Sequence, residues 1–175
     1  MYKHYFFFKR CFDIIFSFTA LTLVSPIFVV IIFCIKSTSE GPIFYLQKRL
    51  GANNKIFNCI KFRTMVVNSD KSLIDILNKN SELKKEFKKH FKLKNDPRIT
   101  KFGKFLRSTS LDELPQFINV IFGQMSVIGP RPIVEEEKER YGNEIYNLLS
   151  VRPGITGLWQ VEGRSKLSYV NRRKL

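Results

Sequence analysis

The uncharged segment IIFSFTALTLVSPIFVVIIFCI, residues 14–35, sets the architecture of this 175-residue chain. It is mostly Ile, Phe, Val and Leu, and it is long enough to cross a bilayer, which takes roughly 20 helical residues. Ser25-Pro26 lies near its middle. Because proline cannot donate to the helix ladder and crowds the preceding turn, we expect the helix to kink or break there. Each half is then about 15 Å long, roughly half the thickness of the hydrocarbon core.

Positive charge flanks the apolar segment on both sides. Lys9 and Arg10 precede it, and Lys36, Lys48 and Arg49 follow it. Because basic residues near membrane ends favour the cytoplasmic side, a straight crossing would leave one flank on the wrong side. A re-entrant hairpin that enters one leaflet and returns keeps both flanks on one side, and Ser25 can bond a carbonyl freed at the break. The sequence favours this hairpin, with an ordinary kinked transmembrane helix as the alternative.

The rest of the chain is strongly basic. Lys and Arg number 30 against 15 Asp and Glu, which gives a formal net charge of +15. This surplus predicts an anionic partner, either a nucleic acid, an anionic membrane face or a phosphorylated substrate. The length suits one domain with a hydrophobic core. Cys11, Cys34 and Cys59 lack metal-ligand spacing, which favours reduced thiols over a disulfide framework or a zinc site.

Two short strands are expected after the apolar segment, one within residues 41–51 and the other over residues 56–65. In the second strand Lys61 and Arg63 point the same way and form a candidate phosphate clamp. The alternative is a solvated hairpin edge, on which lysine guards against aggregation. Residues 70–94 predict a basic amphipathic helix, which suits anionic headgroups, a core-covering role or nucleic acid.

Two adjacent carboxylates, Asp112 and Glu113, stand out in a chain this poor in acid, and two interpretations of them compete. Ser110 followed by Glu113 fits a capping box, which would make both acids structural, and the local pattern favours this interpretation. Pro115 favours a slightly later helix start, with Asp112 at or near the cap. An apolar stripe would then face the core and Gly123 would end the helix.

Basic and proline-rich segments around the acidic pair change that balance. Arg98, Lys101, Lys104 and Arg107 lead into it. Beyond it, Pro130 and Pro132 hold Arg131 in a rigid turn, so that Arg131 loses little backbone entropy on binding a phosphate. A carboxylate that acts on a phosphate needs cations that attract the substrate and a helix start that fixes the geometry. The surroundings therefore favour catalysis.

Five motifs follow the proline-containing apolar segment in a fixed order. They are Lys-Phe-Arg-Thr-Met (61–65), Asp-Pro-Arg-Ile-Thr (96–100), Leu-Asp-Glu-Leu-Pro-Gln (111–116), Gly-Pro-Arg-Pro (129–132) and Pro-Gly-Ile-Thr-Gly-Leu-Trp-Gln (153–160). Together they resemble the bacterial sugar transferases, or monotopic phosphoglycosyl transferases, over nearly the whole chain. The resemblance implies an α+β fold with a re-entrant membrane helix over residues 1–36, broken at Ser25-Pro26. It also implies a small, mainly helical catalytic domain with a β-hairpin over residues 37–175, on the cytoplasmic face of a bacterial inner membrane.

The resemblance further implies a two-step reaction. Asp112 takes the role of the nucleophile, which attacks a nucleoside diphosphate sugar, usually a UDP-sugar, and becomes a phosphosugar-aspartyl ester as the nucleoside monophosphate leaves. Undecaprenyl phosphate then takes the sugar phosphate, and the product starts a surface polysaccharide or glycoconjugate. The family requires Mg²⁺, and we expect Asp112 and Glu113 beside it. Lys61, Arg63, Arg107 and Arg131 are the expected phosphate-binding residues.

The chain departs from the family at its end. Members continue for a few dozen residues past Gly163-Arg164-Ser165, whereas this chain stops at Leu175. We expect a truncated C-terminus, whose missing contacts would weaken sugar-nucleotide binding or stability. Two other functions stay open: a basic module that binds anionic lipid or nucleic acid without catalysis, and an inactive relative that acts as a scaffold. The transferase is favoured, with a nucleoside diphosphate sugar, undecaprenyl phosphate and an anionic membrane surface as partners, no nucleic acid, and homo-oligomerisation left open.

Overall fold

The structure is a computed structural model that describes residues 2–90 and 93–161. The helices and strands are α1 (Tyr2–Thr38), β1 (Phe44–Leu50), β2 (Ile56–Phe62), α2 (Ser69–Lys79), α3 (Ser81–His90), α4 (Lys101–Thr109), α5 (Gln116–Ile121), β3 (Ser126–Ile128), α6 (Ile145–Leu149), β4 (Gly154–Thr156) and α7 (Leu158–Val161). Short 3₁₀ segments cover Ala52–Asn54, Leu111–Glu113 and Glu135–Glu144. The fold is a mixed α+β arrangement, as the sequence predicts, with a long apolar helix and a small, mainly helical domain that contains two short sheets.

The apolar helix α1 is assigned as one helix that runs through Pro26, so the predicted hairpin is not seen as two separate helices. Pro26 lacks the amide that would bond the carbonyl of Thr22, four residues earlier. The hydroxyl of Ser25 donates to that carbonyl at 2.8 Å, which confirms the bond expected of Ser25. Residues 6–38 contain an 18-residue stretch with a mean hydropathy of 2.6, and by length and composition this helix could cross a membrane.

Both ends of α1 contact the same small domain. Near its start, the Arg10 guanidinium donates to two carbonyls at the C-terminal end of α5, at 2.6 and 2.9 Å. One turn later, the buried carboxylate of Asp13 accepts from the Val127 amide in β3 at 2.9 Å. Near its end, Ile31 and Ile35 are buried in a cluster with residues of β2 and α4. One globular domain thus contacts α1 on both sides of its middle section.

The hairpin β1–β2 is antiparallel, as predicted, and it contributes residues to three buried hydrophobic clusters. Phe57 and Cys59 in β2 pack with residues of α5 and β3, whereas Phe62 packs on the other side against α1 and α4. The second strand was predicted to end at residue 65, but it ends at Phe62. β3 and β4 form a separate parallel pair that lies beside the end of α5. The sheets therefore connect α1 to the segment that carries the acidic pair.

The prediction of one helix over residues 70–94 was wrong, because the chain forms two helices, α2 and α3, with a break at Asn80. Asn80 has extended angles (φ −139°, ψ 107°). Its side chain accepts from the amides of Glu82 and Leu83 at 3.0 and 3.1 Å and so caps α3. Asparagine favours such caps over helix interiors, and this preference outweighed the helical apolar spacing. Residues 91–92 of the predicted helix lie outside the described residues.

The start of α4 is fixed by the Asp-Pro-Arg-Ile-Thr segment (96–100). Arg98 binds both carboxylate oxygens of Asp96, at 2.8 and 2.5 Å. Thr100 accepts from the Gly103 amide at 2.9 Å and caps the helix, while its own amide donates to the carbonyl of Thr64 at 3.0 Å. A Cβ atom at position 103 would lie 2.0 Å from that same carbonyl, so glycine is required for this close approach. These contacts aim α4 at the acidic turn.

Candidate active site

The acidic pair lies in a 3₁₀ turn and not in a capping box. Ser110 adopts the left-handed conformation (φ 60°) that ends α4, and its side chain makes no capping hydrogen bond. The capping-box interpretation of Asp112 and Glu113 was therefore wrong, because Ser110 ends α4 with left-handed angles and precedes the 3₁₀ turn without a side-chain cap. Leu114 and Pro115 continue with helical backbone angles into α5. The acids thus belong to a continuous helical path that leads from the turn into α5.

Asp112 is buried, with 8% of its surface exposed. Burial raises the pKa of its carboxyl to about 6, and the charge of Glu113 adds to the rise, although Lys61 and Arg107 oppose it. The carboxylate is ionised at neutral pH, but its surroundings compensate its charge poorly. Such a perturbed acid beside a cleft is typical of a functional group.

Glu113 has the opposite electrostatic setting. Its Oε1 lies 2.7 Å from Lys61 Nζ. Burial alone would raise the pKa of Glu113, but Lys61, with smaller contributions from Arg131 and Arg49, holds that pKa below its usual range. The adjacent acids therefore differ: the fold stabilises the negative charge of Glu113 and disfavours that of Asp112.

The acidic turn borders an open cleft of about 310 Å³. Its lining includes the cations Arg49, Lys61 and Arg131, the carboxylate of Glu113 and the amides of Gln116 and Gln160. Positive charge therefore exceeds negative charge in this lining. A cleft of this kind concentrates anions, and paired cations suit the oxygens of phosphate groups.

Backbone and side-chain bonds fix the segment that carries Arg131. The guanidinium of Arg49 donates to the carbonyl of Pro132 at 3.0 Å. From the other side, the Gly154 amide donates to the carbonyl of Pro130 at 2.8 Å. The Gly-Pro-Arg-Pro segment is therefore held between β1 and the start of β4, and the arginine at its centre faces the cleft from a rigid backbone.

Asn119 aligns the acidic segment with β2. Its side chain is buried, accepts from the Ile60 amide at 2.9 Å and donates to the carbonyl of Asn58 at 2.8 Å. The side-chain amide of Asn119 thus bonds the backbone of β2 in the way that a neighbouring strand would. Because Lys61 follows Ile60 directly, these two bonds also hold Lys61 opposite Glu113.

The predicted phosphate-binding residues do not all reach the cleft. Lys61 and Arg131 line it. Arg107 lies close enough to interact electrostatically with Asp112, and its Nε donates to Thr64 Oγ1 at 2.9 Å. Arg63 turns away and bonds the carbonyls of Ser39 and Glu40 just after α1. The structure thus gathers three of these four cations around the acids.

Arg49 and Gln116 are among the lining residues that were not assigned to the site from the sequence. In the sequence, Arg49 is only one of the basic residues that flank the apolar segment. Its place in the cleft depends on the contact of β1 with the segment around Pro132, which the sequence does not show. Gln116 ends the Leu-Asp-Glu-Leu-Pro-Gln motif, and its spacing of four residues from Asp112 was the signal that could have revealed it.

The acidic pair fits a site for Mg²⁺ that is completed by substrate. The described residues contain no group of three or more His, Cys, Asp or Glu side chains arranged for a metal ion. Mg²⁺ commonly takes one or two carboxylates and obtains its other ligands from substrate phosphates and water. Asp112 and Glu113 provide such a set, and a cation there would offset the burial and like charge that raise the pKa of Asp112.

Comparisons with known proteins agree on one family. The sequence model described as "Bacterial sugar transferase" matches residues 4–175. The chain is 47% identical over 166 residues to an "Undecaprenyl-phosphate galactose phosphotransferase" of Salmonella typhimurium, covering 95% of this chain and 35% of that protein. It is 46% identical over 164 residues to "Exopolysaccharide production protein ExoY" of Rhizobium meliloti, covering 94% and 73%. A "UDP-glucose:undecaprenyl-phosphate glucose-1-phosphate transferase" of Klebsiella pneumoniae is 47% identical over 160 residues, covering 89% and 31%. The chain thus spans about a third of the length of the Salmonella and Klebsiella proteins, and the same holds for further curated relatives that it matches.

Proposed function

The chain belongs to the bacterial sugar transferase family, and from this premise we propose that it transfers a sugar 1-phosphate from a nucleoside diphosphate sugar to undecaprenyl phosphate. The names of two relatives mention undecaprenyl phosphate as the acceptor, and one of them mentions UDP-glucose. The observation that carries the proposal is Asp112, a buried carboxylate with a raised pKa whose neighbour in the chain, Glu113, lines a cation-rich cleft. The product would begin a surface polysaccharide or glycoconjugate.

In the first step, an oxygen of Asp112 attacks the phosphorus that carries the sugar. The bond from that phosphorus to the bridging oxygen breaks, and the nucleoside monophosphate leaves with the electron pair. The chain then holds the sugar phosphate as an ester of Asp112. In the second step, an oxygen of undecaprenyl phosphate attacks the same phosphorus and the carboxylate is released. Covalent catalysis of this kind divides a transfer between a soluble and a membrane-bound substrate into two steps.

The cations of the cleft hold the anionic substrate against an anionic nucleophile. Lys61 and Arg131, together with Arg49, supply charge to the diphosphate from the cleft walls, and Arg107 acts from the side of Asp112. Arg63 takes a different part, since it ties the segment after α1 to the end of β2. A bound Mg²⁺ at Asp112 and Glu113 would screen the repulsion between carboxylate and diphosphate and would stabilise the leaving phosphate.

We also propose that residues 1–36 enter a membrane and return to the same face, and that residues 37–175 form a catalytic domain at that face. The contacts at both ends of α1 support this arrangement. Arg10 and Ile35 lie about 37 Å apart along a straight helix, more than the hydrocarbon thickness of about 30 Å, yet one small domain binds both. A straight crossing would put these residues on opposite faces. The basic flanks favour the cytoplasmic face of the inner membrane.

The test uses membranes that contain the chain, a panel of sugar nucleotides, undecaprenyl phosphate and Mg²⁺, with release of nucleoside monophosphate as the readout. We expect release with at least one sugar nucleotide and none with the Asp112→Asn variant. Folded chain that binds a sugar nucleotide but releases no monophosphate from any of them would contradict the proposal and would favour a scaffold.

A further inference from the structure

Gln116, the first residue of α5, has a buried side chain that the reaction described above does not use. We propose that its carboxamide binds the phosphoryl group in transfer and holds it against Asp112, so that Gln116 is a further substrate-contacting residue. This inference rests on the proposed function.

The burial and hydrogen bonding of Gln116 point to a ligand. The residue is 3% exposed, yet it lines the cleft. Within residues 2–90 and 93–161, its carboxamide makes no hydrogen bond to the protein, and its amide atoms are not among the fully buried polar atoms that lack a partner, so the amide opens onto the cleft. The other cleft glutamine is different, since Gln160 accepts from the Gly157 amide at 2.9 Å and donates to the carbonyl of Ile155 at 3.0 Å. One amide therefore holds a turn, and the other is left for an external group.

The backbone puts Gln116 on the side of the reacting acids. The path from Leu111 into α5 keeps helical angles through Leu114 and Pro115. Side chains three and four positions apart on such a path lie on the same face. Gln116 is therefore a neighbour of both Asp112 and Glu113. A phosphoryl group placed for attack by Asp112 would be within reach of its amide.

The chemistry of a neutral amide suits this position. A lysine or arginine here would pair with a carboxylate, as Lys61 does with Glu113 at 2.7 Å. A glutamate would add a third negative charge and could not donate when ionised. The NH₂ group of Gln116 can donate to a non-bridging phosphoryl oxygen and stays free of ion pairs. It would contact the group that is transferred, whereas Arg49 and Arg131, which line the cleft at Pro132, would hold the part of the diphosphate that leaves with the nucleotide.

The test compares the full chain with Gln116→Ala and Gln116→Glu in the first half-reaction, without lipid acceptor. Single-turnover release of nucleoside monophosphate gives the rate, titration with the monophosphate alone gives the leaving-group affinity, and thermal unfolding reports the fold. We expect the rate to fall about 10- to 100-fold for Gln116→Ala and further for Gln116→Glu. The monophosphate affinity and the melting temperature should stay close to those of the wild type, because the amide is expected to bond neither the nucleoside monophosphate nor another group of the protein. Asn58→Ala, which removes an exposed amide from β2, is the control and should react like the wild type.

Three results would overturn the inference while leaving the proposed function in place. They are a Gln116→Ala rate within threefold of the wild type, a monophosphate affinity that falls in parallel with the rate, and a melting temperature lowered enough to explain the loss. A wild-type chain that releases no monophosphate would instead overturn the proposed function, and this inference with it.

Discussion

Two buried aspartates, Asp13 in α1 and Asp112 in the acidic turn, are 2% and 8% exposed, but their surroundings differ. Asp13 accepts from the Val127 amide at 2.9 Å and the Ser126 hydroxyl at 3.0 Å, and Lys9 lies 3.5 Å away. Within the described residues, no side chain or amide of another residue donates a hydrogen bond to the carboxylate of Asp112, and burial raises its pKa to about 6. A carboxylate with partners joins two elements of the fold, whereas a carboxylate without them remains available for chemistry.

Replacing Asp112 should give the largest effect and should separate activity from stability. Asp112→Asn should lower monophosphate release by at least about 10³-fold, because the amide is no nucleophile. It should also stabilise the fold at pH 8 by up to about 3 kcal/mol. The folded pKa of about 6 lies above the unfolded value of 3.8, so ionisation costs stability as pH rises. Thermal unfolding in detergent at several pH values measures this, and the gain should vanish below about pH 4. An Asp112→Asn variant that is less stable at pH 8 would contradict the comparison.

Replacing Asp13 should have the reverse profile. Asp13→Ala leaves the Val127 amide and the Ser126 hydroxyl buried without this acceptor, which should cost about 2–4 kcal/mol of the free energy of unfolding. The rate per folded molecule should change little, because the acceptor lies in the contact between α1 and β3. Chemical unfolding and single-turnover release, measured on the same preparation, would show both. If Asp13→Ala kept full stability but lost its rate, the assignment of roles would be wrong.

The pH dependence of the first step should show a smaller effect. Only ionised Asp112 can attack, so the rate of monophosphate release should fall about tenfold per pH unit below the pKa of its carboxyl, which is about 6 without a bound metal ion. If the acids hold Mg²⁺, raising the Mg²⁺ concentration should move the inflection to lower pH, because a cation lowers the pKa of a neighbouring carboxyl. Measuring kcat/KM from pH 5 to 8 at several Mg²⁺ concentrations checks this, and a rate that stays constant to pH 5 at the lowest Mg²⁺ concentration would argue against Asp112.

Features set by local sequence were predicted well. The apolar helix, the bond from Ser25 to the carbonyl next to Pro26 and the β1–β2 hairpin each depend on residues close in the chain. The family motifs also indicated the acidic pair, whose catalytic role stays a prediction. These predictions needed only periodicity, turn chemistry and residue order.

Features set by tertiary contacts were not predicted. The local pattern around Ser110 suits a capping box, but α4 uses that residue as its left-handed end. Strand alternation put Arg63 beside Lys61, but the strand stops at Phe62 and Arg63 turns towards the end of α1. Arg49 faces the cleft because β1 pairs with a segment more than 80 residues away. For Arg63 and Arg49, a distant partner decided where the side chain points.

The role of Asp112 as nucleophile is tested most directly by finding which residue carries the sugar phosphate. The chain would be incubated with a labelled sugar nucleotide and no lipid acceptor, then digested and mapped by mass spectrometry. We expect one adduct, on Asp112, that disappears when undecaprenyl phosphate is added and never forms in the Asp112→Asn variant. An adduct on Glu113 or any other residue, or monophosphate release in Asp112→Asn, would contradict this role of Asp112.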